Sequence, residues 1–124
     1  MGEKRLKALI IEDDLICQRA VKTLLLANDV EVITASGEQD ALKLLSEPCD
    51  LILMDLGLED TDGFSLSNKI KELGKEYCEI PIVGITANLT ELYRKKAKAC
   101  DMVEIIEKPL RSIDIKRIIQ MYLS

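Results

Sequence analysis

The chain has 124 residues, a formal charge of −5, 48% hydrophobic and 31% charged residues, and no histidine. That length suits one domain with a sizeable core, read here as residues 1–124, and the acidic balance excludes the broad basic footprint that nucleic-acid phosphates require. Without histidine, Ser/His and Cys/His catalysis, histidine metal sites and any phospho-histidine intermediate within this chain are excluded as well.

No apolar tract is long enough to cross a bilayer, and no signal-peptide pattern follows the charged start "MGEKRLK", so a soluble, cytoplasmic protein without membrane contact is expected. Cys17, Cys49, Cys78 and Cys100 are too widely spaced for a CxxC site, and each adjoins apolar sequence. Buried free thiols in a reducing compartment are the expected state.

Five apolar runs of strand length follow along the chain: Leu6 to Ile11, Val30 to Thr34, Leu51 to Met54, Ile80 to Ile85 and Val103 to Ile106. Their Ile, Val and Leu content predicts strands buried on both faces. The stretches between and after them have helical spacing: Asp14 to Asn28, Gly37 to Ser46, Asp62 to Leu73, Asn88 to Cys100 and Arg111 to Leu123. In the first, Ile16, Ala20, Leu24 and Ala27 recur at steps of three or four and predict one apolar face. Asp14, Ser36 or Gly37, and Asp62 are candidate N-caps, while Pro48 and Pro81 fall in connections. The basic run "YRKKAK" (93–98) reads as the solvated face of the fourth of these helices, with an acidic partner as the other option.

Alternating strands and helices predict an α/β doubly wound parallel sheet with right-handed crossovers and strand order 2-1-3-4-5. Ligands of such a sheet bind beyond the carboxyl ends of the strands, at the switch point between strands 1 and 3. Strand 1 ends in "IIEDD" and strand 3 in "LMD", so Glu12, Asp13 and Asp55 converge there, and Thr86 and Lys108 reach the same edge from strands 4 and 5.

Like charges in such a cluster repel, by roughly 4 kcal/mol per pair at 4 Å and an effective dielectric near 20. Three carboxylates against one lysine leave −2, the charge that one divalent ion neutralises. Oxygen-only ligands on strand ends favour a hard ion, Mg²⁺ rather than Ca²⁺, and Mg²⁺ suggests phosphate chemistry. On this reading Asp55 is the nucleophile toward phosphorus, Glu12 and Asp13 hold the metal, and Lys108 and the Thr86 hydroxyl contact the phosphoryl oxygens. Each residue also has a plain structural reading: Asp55 a turn residue, Glu12-Asp13-Asp14 a helix cap, Lys108 a surface charge before Pro109. Joint placement on one edge favours the functional reading.

With "LIIEDD", "LILMDLGLEDTDG", "PIVGITAN" and "EKPL" in this order, the chain resembles the receiver (response regulator, CheY-like) domain of two-component phosphorelay signalling over residues 5 to 123. The resemblance implies a flavodoxin-like (βα)₅ fold, Asp55 as phosphoacceptor, Asp13 as a direct Mg²⁺ ligand, Glu12 as one largely through water, and the Gly57 carbonyl as a further ligand. It implies Thr86 as the switch hydroxyl, Lys108 as the phosphate-binding cation, and a cis bond before Pro109 that aims Lys108 at the site. "EDDLICQRAV" and "GITAN" resemble the receivers of hybrid sensor histidine kinases.

The departures from that pattern are Glu59 where proline is common, Asp101 where a glycine closes a helix, and Ile105 where the switch residue is aromatic. Asp can take the left-handed conformation a helix end requires. The resemblance also implies that Gly57 and Asn88, two residues beyond Asp55 and Thr86, stand where receiver side chains flank the path of a hydrolytic water.

The implied function is acceptance of a phosphoryl group from the phospho-histidine of a partner kinase or histidine-phosphotransfer protein, with self-phosphotransfer and autodephosphorylation at most as catalysis by this domain. The alternatives are a phosphorylation-independent interaction module and a haloacid-dehalogenase-type hydrolase, which needs a second acid where Gly57 stands. Leu15, Gln18 and Lys22 form a candidate docking ridge for the partner.

Overall fold

The computed structural model describes residues 5–123. Strands β1 (Lys7–Ile11), β2 (Glu31–Ala35), β3 (Leu51–Asp55), β4 (Ile82–Thr86) and β5 (Glu104–Glu107) pair in parallel in the order β2-β1-β3-β4-β5. The fold is the flavodoxin-like α/β arrangement expected from the alternation of elements. The three inner strands are almost wholly buried, whereas β2 and β5, at the two edges, are only partly covered.

Because side chains alternate across a strand, the sheet builds two cores. Leu9, Ile11, Ile52, Met54 and Ile82 point to the face covered by α2 (Glu38–Leu44), α3 (Gly63–Lys71) and α5 (Glu91–Ala99), through Ala41, Leu66, Ile70 and Ala97. Ala8, Ile10, Leu51, Leu53, Val83 and Ile85 point to the opposite face, where α1 (Leu15–Leu26) and α6 (Ser112–Tyr122) contribute Val21, Leu25, Ile115 and Ile118. On the first face Phe64 and Tyr93 meet edge to face at 5.5 Å and join α3 to α5.

The stripe expected on α1 is corrected. Of the four, Leu24 is half-buried against the core, while Ile16 is 82% exposed and Ala20 and Ala27 are exposed too; Val21 and Leu25 are buried and Cys17 half-buried instead. Residues 17, 21 and 25 form their own i, i+4 row, and the direction in which β1 delivers the chain turns that row inward. Asp14 caps this helix through the N–H groups of Ile16 and Cys17, and Asp62 caps α3 through that of Phe64.

Gly37 occupies the N-cap of α2, with no side-chain bond of its own. The helix expected from Asn88 starts later, at Glu91, because Thr90 caps it and residues 87–90 form the turn out of β4. An extra single turn, α4 (Lys75–Cys78), carries Tyr77 into the core, where its hydroxyl donates to the Leu45 carbonyl at 2.6 Å. Asp29 and Asp101 take left-handed backbone conformations at φ 61° and 59° at the ends of α1 and α5. The thiols are free as expected, but only Cys49 and Cys100 are buried; Cys78 is exposed because Tyr77 takes the inward position of that turn.

Candidate functional site

The backbone ladder continues one step past the strands and fixes the residues that follow them. Glu12 N–H donates to Ala35 O at 2.9 Å, Leu56 N–H to Ile85 O at 2.8 Å, and Lys108 N–H to Thr86 O at 2.8 Å. Glu12, Asp55 and Lys108 are thereby set on one edge of the sheet, as the strand-end argument requires. Carboxylate oxygens of Glu12, Asp13 and Asp55 all lie within 4.8 Å of one another.

Lys108 answers that charge. Its Nζ stands 2.8 Å from Glu12 Oε1 and 3.5 Å from Asp55 Oδ1, and the Lys108–Pro109 peptide bond is cis. Burial works against the ammonium, but Glu12 and Asp55 more than offset it and hold the lysine above its ordinary value. Glu12 and Asp55 are each only 5% exposed. Burial, reinforced by the neighbouring Asp55, pushes the Glu12 carboxyl up from 4.5 to about 7 against the opposing effect of Lys108.

Beside this pair lies a cavity of about 100 Å³ walled by Cys17, Ala20, Val21, Ile85, Pro109 and Leu110. Its largely apolar walls account for the desolvation of Glu12. Cys17 was expected only as a buried free thiol and Leu110 only as the end of the "EKPL" motif, and neither pointed to a cavity wall.

The remaining site residues are placed as follows. Asp55 Oδ1 accepts the Gly57 N–H at 2.9 Å, and Asp13 Oδ2 accepts the Glu59 N–H at 2.9 Å, so the loop after β3 is drawn onto the carboxylates. Thr86 is buried, but its hydroxyl is folded onto its own loop: Asn88 N–H donates to Oγ1 at 3.2 Å, and Oγ1 lies 3.4 Å from Asn88 O. Ile105, opposite Gly84 in the ladder, is half-buried against the core under α5, the same core that Tyr93 packs on. Leu15 and Lys22 are exposed on α1, whereas Gln18 is half-buried and donates its amide to the Glu12 carbonyl at 3.0 Å.

The donor set fits Mg²⁺: three carboxylates, oxygen only, on rigid strand ends, with one lysine balancing part of their charge. The acidic, lysine-flanked crevice lies at the switch point of the 2-1-3-4-5 sheet, where doubly wound α/β domains bind their ligands. The chain belongs to the response regulator receiver domain family, whose model matches residues 8–120, and is a receiver domain of two-component signalling.

Among its relatives, hybrid signal transduction histidine kinase L of Dictyostelium discoideum is 30% identical over 122 residues, a match covering 94% of this chain and 7% of that protein. Sensor histidine kinase RcsC of Escherichia coli K12 is 28% identical over 115 residues, covering 92% of this chain and 12% of that protein. The chain thus spans a small part of the length of these relatives.

Among solved structures, chemotaxis protein CheY4 of Vibrio cholerae superposes with a TM-score of 0.89 at 22% identity, covering 96% of this chain and 99% of that one. The receiver domain of sensor histidine kinase PA1611 from Pseudomonas aeruginosa, described with a magnesium ion coordinated in its active-site cleft, gives 0.86 at 24% identity, covering 97% and 98%. Among the described residues no helix is long and apolar enough to cross a membrane.

Proposed function

We propose that residues 1–124 form a single receiver domain, of which residues 1–4 and 124 lie outside the described part, and that it accepts a phosphoryl group on Asp55 from the phospho-histidine of a partner protein. The observation that carries this reading is the meeting of Asp55 with Lys108 at 3.5 Å, within a cluster of carboxylates that balances to −2. Glu12, Asp13, Asp55 and the Gly57 carbonyl would hold Mg²⁺, which would supply charge neutralisation at the phosphoryl oxygens.

In the transfer, an Asp55 carboxylate oxygen bonds to phosphorus while the phosphorus–nitrogen bond to the donor imidazole breaks. The electron pair of that bond returns to the imidazole nitrogen, and Asp55 is left as an acyl phosphate. Lys108 is already aligned between Glu12 and Asp55, so it can follow the new negative charge without reorganisation. Thr86 is the group that moves: its hydroxyl leaves Asn88 and turns to a phosphoryl oxygen. The shift is transmitted to Ile105 and the surface between α5 and α6, an aliphatic neighbour taking the place of an aromatic one.

The chain acts as a signalling module, with self-phosphotransfer and autodephosphorylation its only chemistry. The partner is a histidine kinase or histidine-phosphotransfer protein, met on the exposed part of α1 by Leu15 and Lys22, with Ile16 beside them. Gln18 belongs to this ridge through its backbone position, its amide being engaged by Glu12. Leu15→Ala should slow phosphotransfer from such a partner and leave phosphorylation by a small phosphodonor unchanged. Equal rates from the partner would remove the ridge from the account. Incubation with a phosphotransfer protein bearing phospho-histidine tests the main reading: the label should pass to this chain with Mg²⁺ and stay on the donor in EDTA.

A further inference from the structure

The loop between β3 and α3 is fastened at its far end to the start of α2, a helix that has no side-chain cap of its own. Asp60 Oδ2 accepts a hydrogen bond from the Glu38 N–H at 3.0 Å. The Glu38 carboxylate in turn accepts from Thr61 Oγ1 at 2.8 Å and from Lys69 Nζ at 2.9 Å, so both its oxygens are engaged by the segment that follows β3. Nearer the site the same loop is held by Gly57 on Asp55 and by Glu59 on Asp13.

Gly37 records how close the approach is. Its φ of −171° is extended backbone that any residue adopts. Yet a Cβ on Gly37 would stand 2.4 Å from Asp60 Oδ2 and 3.0 Å from its Cγ. The glycine is needed for room: any side chain there displaces the carboxylate from the Glu38 N–H.

We propose that Asp60 and Glu38 are positioning residues for the Mg²⁺ site, tying the loop that carries Gly57 to α2 and thereby setting the affinity for the ion. The inference rests on the metal reading given above. A loop fixed at both ends loses little conformational freedom when its backbone oxygen engages a cation, and a loop released at one end loses more. The contacts span 22 and 23 residues of sequence, so they add a long-range constraint that the turn after β3 lacks.

Calorimetric titration with Mg²⁺ alone, on the whole chain, tests this with Asp60→Ala, Gly37→Ala and the double variant. Each single substitution should weaken binding by roughly threefold to tenfold, at or below the low end of the roughly 10–100-fold that direct outer-shell partners of metal ligands contribute, since Asp60 acts through the loop. The double variant should be no weaker than Asp60→Ala, because without the carboxylate the alanine Cβ has nothing to displace. Asp60→Asn, which keeps a carbonyl acceptor, should retain most of the affinity, a rescue that a general loss of stability would not give. Unchanged affinity in both single variants overturns the proposal, and so do additive losses in the double variant. If the unaltered chain binds no Mg²⁺, the metal reading itself fails and the latch with it.

Discussion

Lys108 reaches back to Glu12, with Nζ and Oε1 2.8 Å apart across 96 residues of sequence. This contact joins the first strand of the sheet to its last, and it is the cationic half of a site otherwise made of carboxylates. Removing it by Lys108→Ala leaves Glu12 and Asp55 uncompensated in a buried setting. The metal-free variant should lose about 1–3 kcal/mol of stability in urea denaturation, and Mg²⁺ should restore part of the loss. Phosphorylation of Asp55 should also fall, because no other cation faces that carboxylate among the described ion pairs.

Glu12 predicts a pH dependence opposite in sense to that of an ordinary paired carboxylate. Its carboxyl is raised from 4.5 to about 7 in the fold, so its charge opposes folding. That opposition is absent below about 4.5, grows as pH rises toward 7, and is complete above it. Glu12→Gln in EDTA should therefore raise stability by roughly 1–3 kcal/mol at pH 8 and leave it unchanged near pH 4. Urea denaturation at the two pH values checks this.

The network at the α6 end has the usual sign for a carboxylate. Arg117 bonds Glu104 through both terminal nitrogens, and Tyr122 Oη donates to Glu104 Oε1 at 2.7 Å. Arg117, despite the opposing effect of burial, holds the Glu104 carboxyl below its ordinary value, with help from Tyr122. The resulting stability is present above about 4.5 and is lost as pH falls through the depressed value. Both side chains are partly exposed, so Arg117→Met should cost at most about 1 kcal/mol at pH 7. The cost should vanish in acid, as thermal unfolding at pH 7 and pH 3 would show.

Gly63 begins α3 directly under Asp55. A Cβ there would lie 3.0 Å from the Asp55 carbonyl oxygen, 3.1 Å from Leu56 Cα and 2.9 Å from Leu56 Cδ2. Backbone atoms cannot yield as a flexible side chain does, so Gly63→Ala should destabilise by about 1–3 kcal/mol. It should also shift the Asp55 backbone, seen as altered amide resonances of residues 55–57.

How much of this was readable in the sequence differs between strands and helices. The inner strands were legible because β1, β3 and β4 are apolar on both faces, and the carboxylates were legible because they interrupt those runs at the ends. α1 was misread because it is apolar on more than one side: Ile16 fits a helical stripe as well as Val21 does, and only the sheet decides which is buried. α4 was missed because a single turn after Gly74 has no period to count. In the site, the acid–lysine cluster followed from topology. The rotation of Thr86 onto Asn88 and the bond from Asp60 to α2 depend on side-chain torsions and long-range contacts that spacing does not encode.

The central claim is that Asp55 receives the phosphoryl group. Intact-mass measurement after incubation with Mg²⁺ and a small phosphodonor tests it most directly, on the unaltered chain and on Asp55→Asn side by side. The account predicts a gain of one phosphoryl group on the unaltered chain and none on the variant. Equal phosphorylation of the two would contradict it.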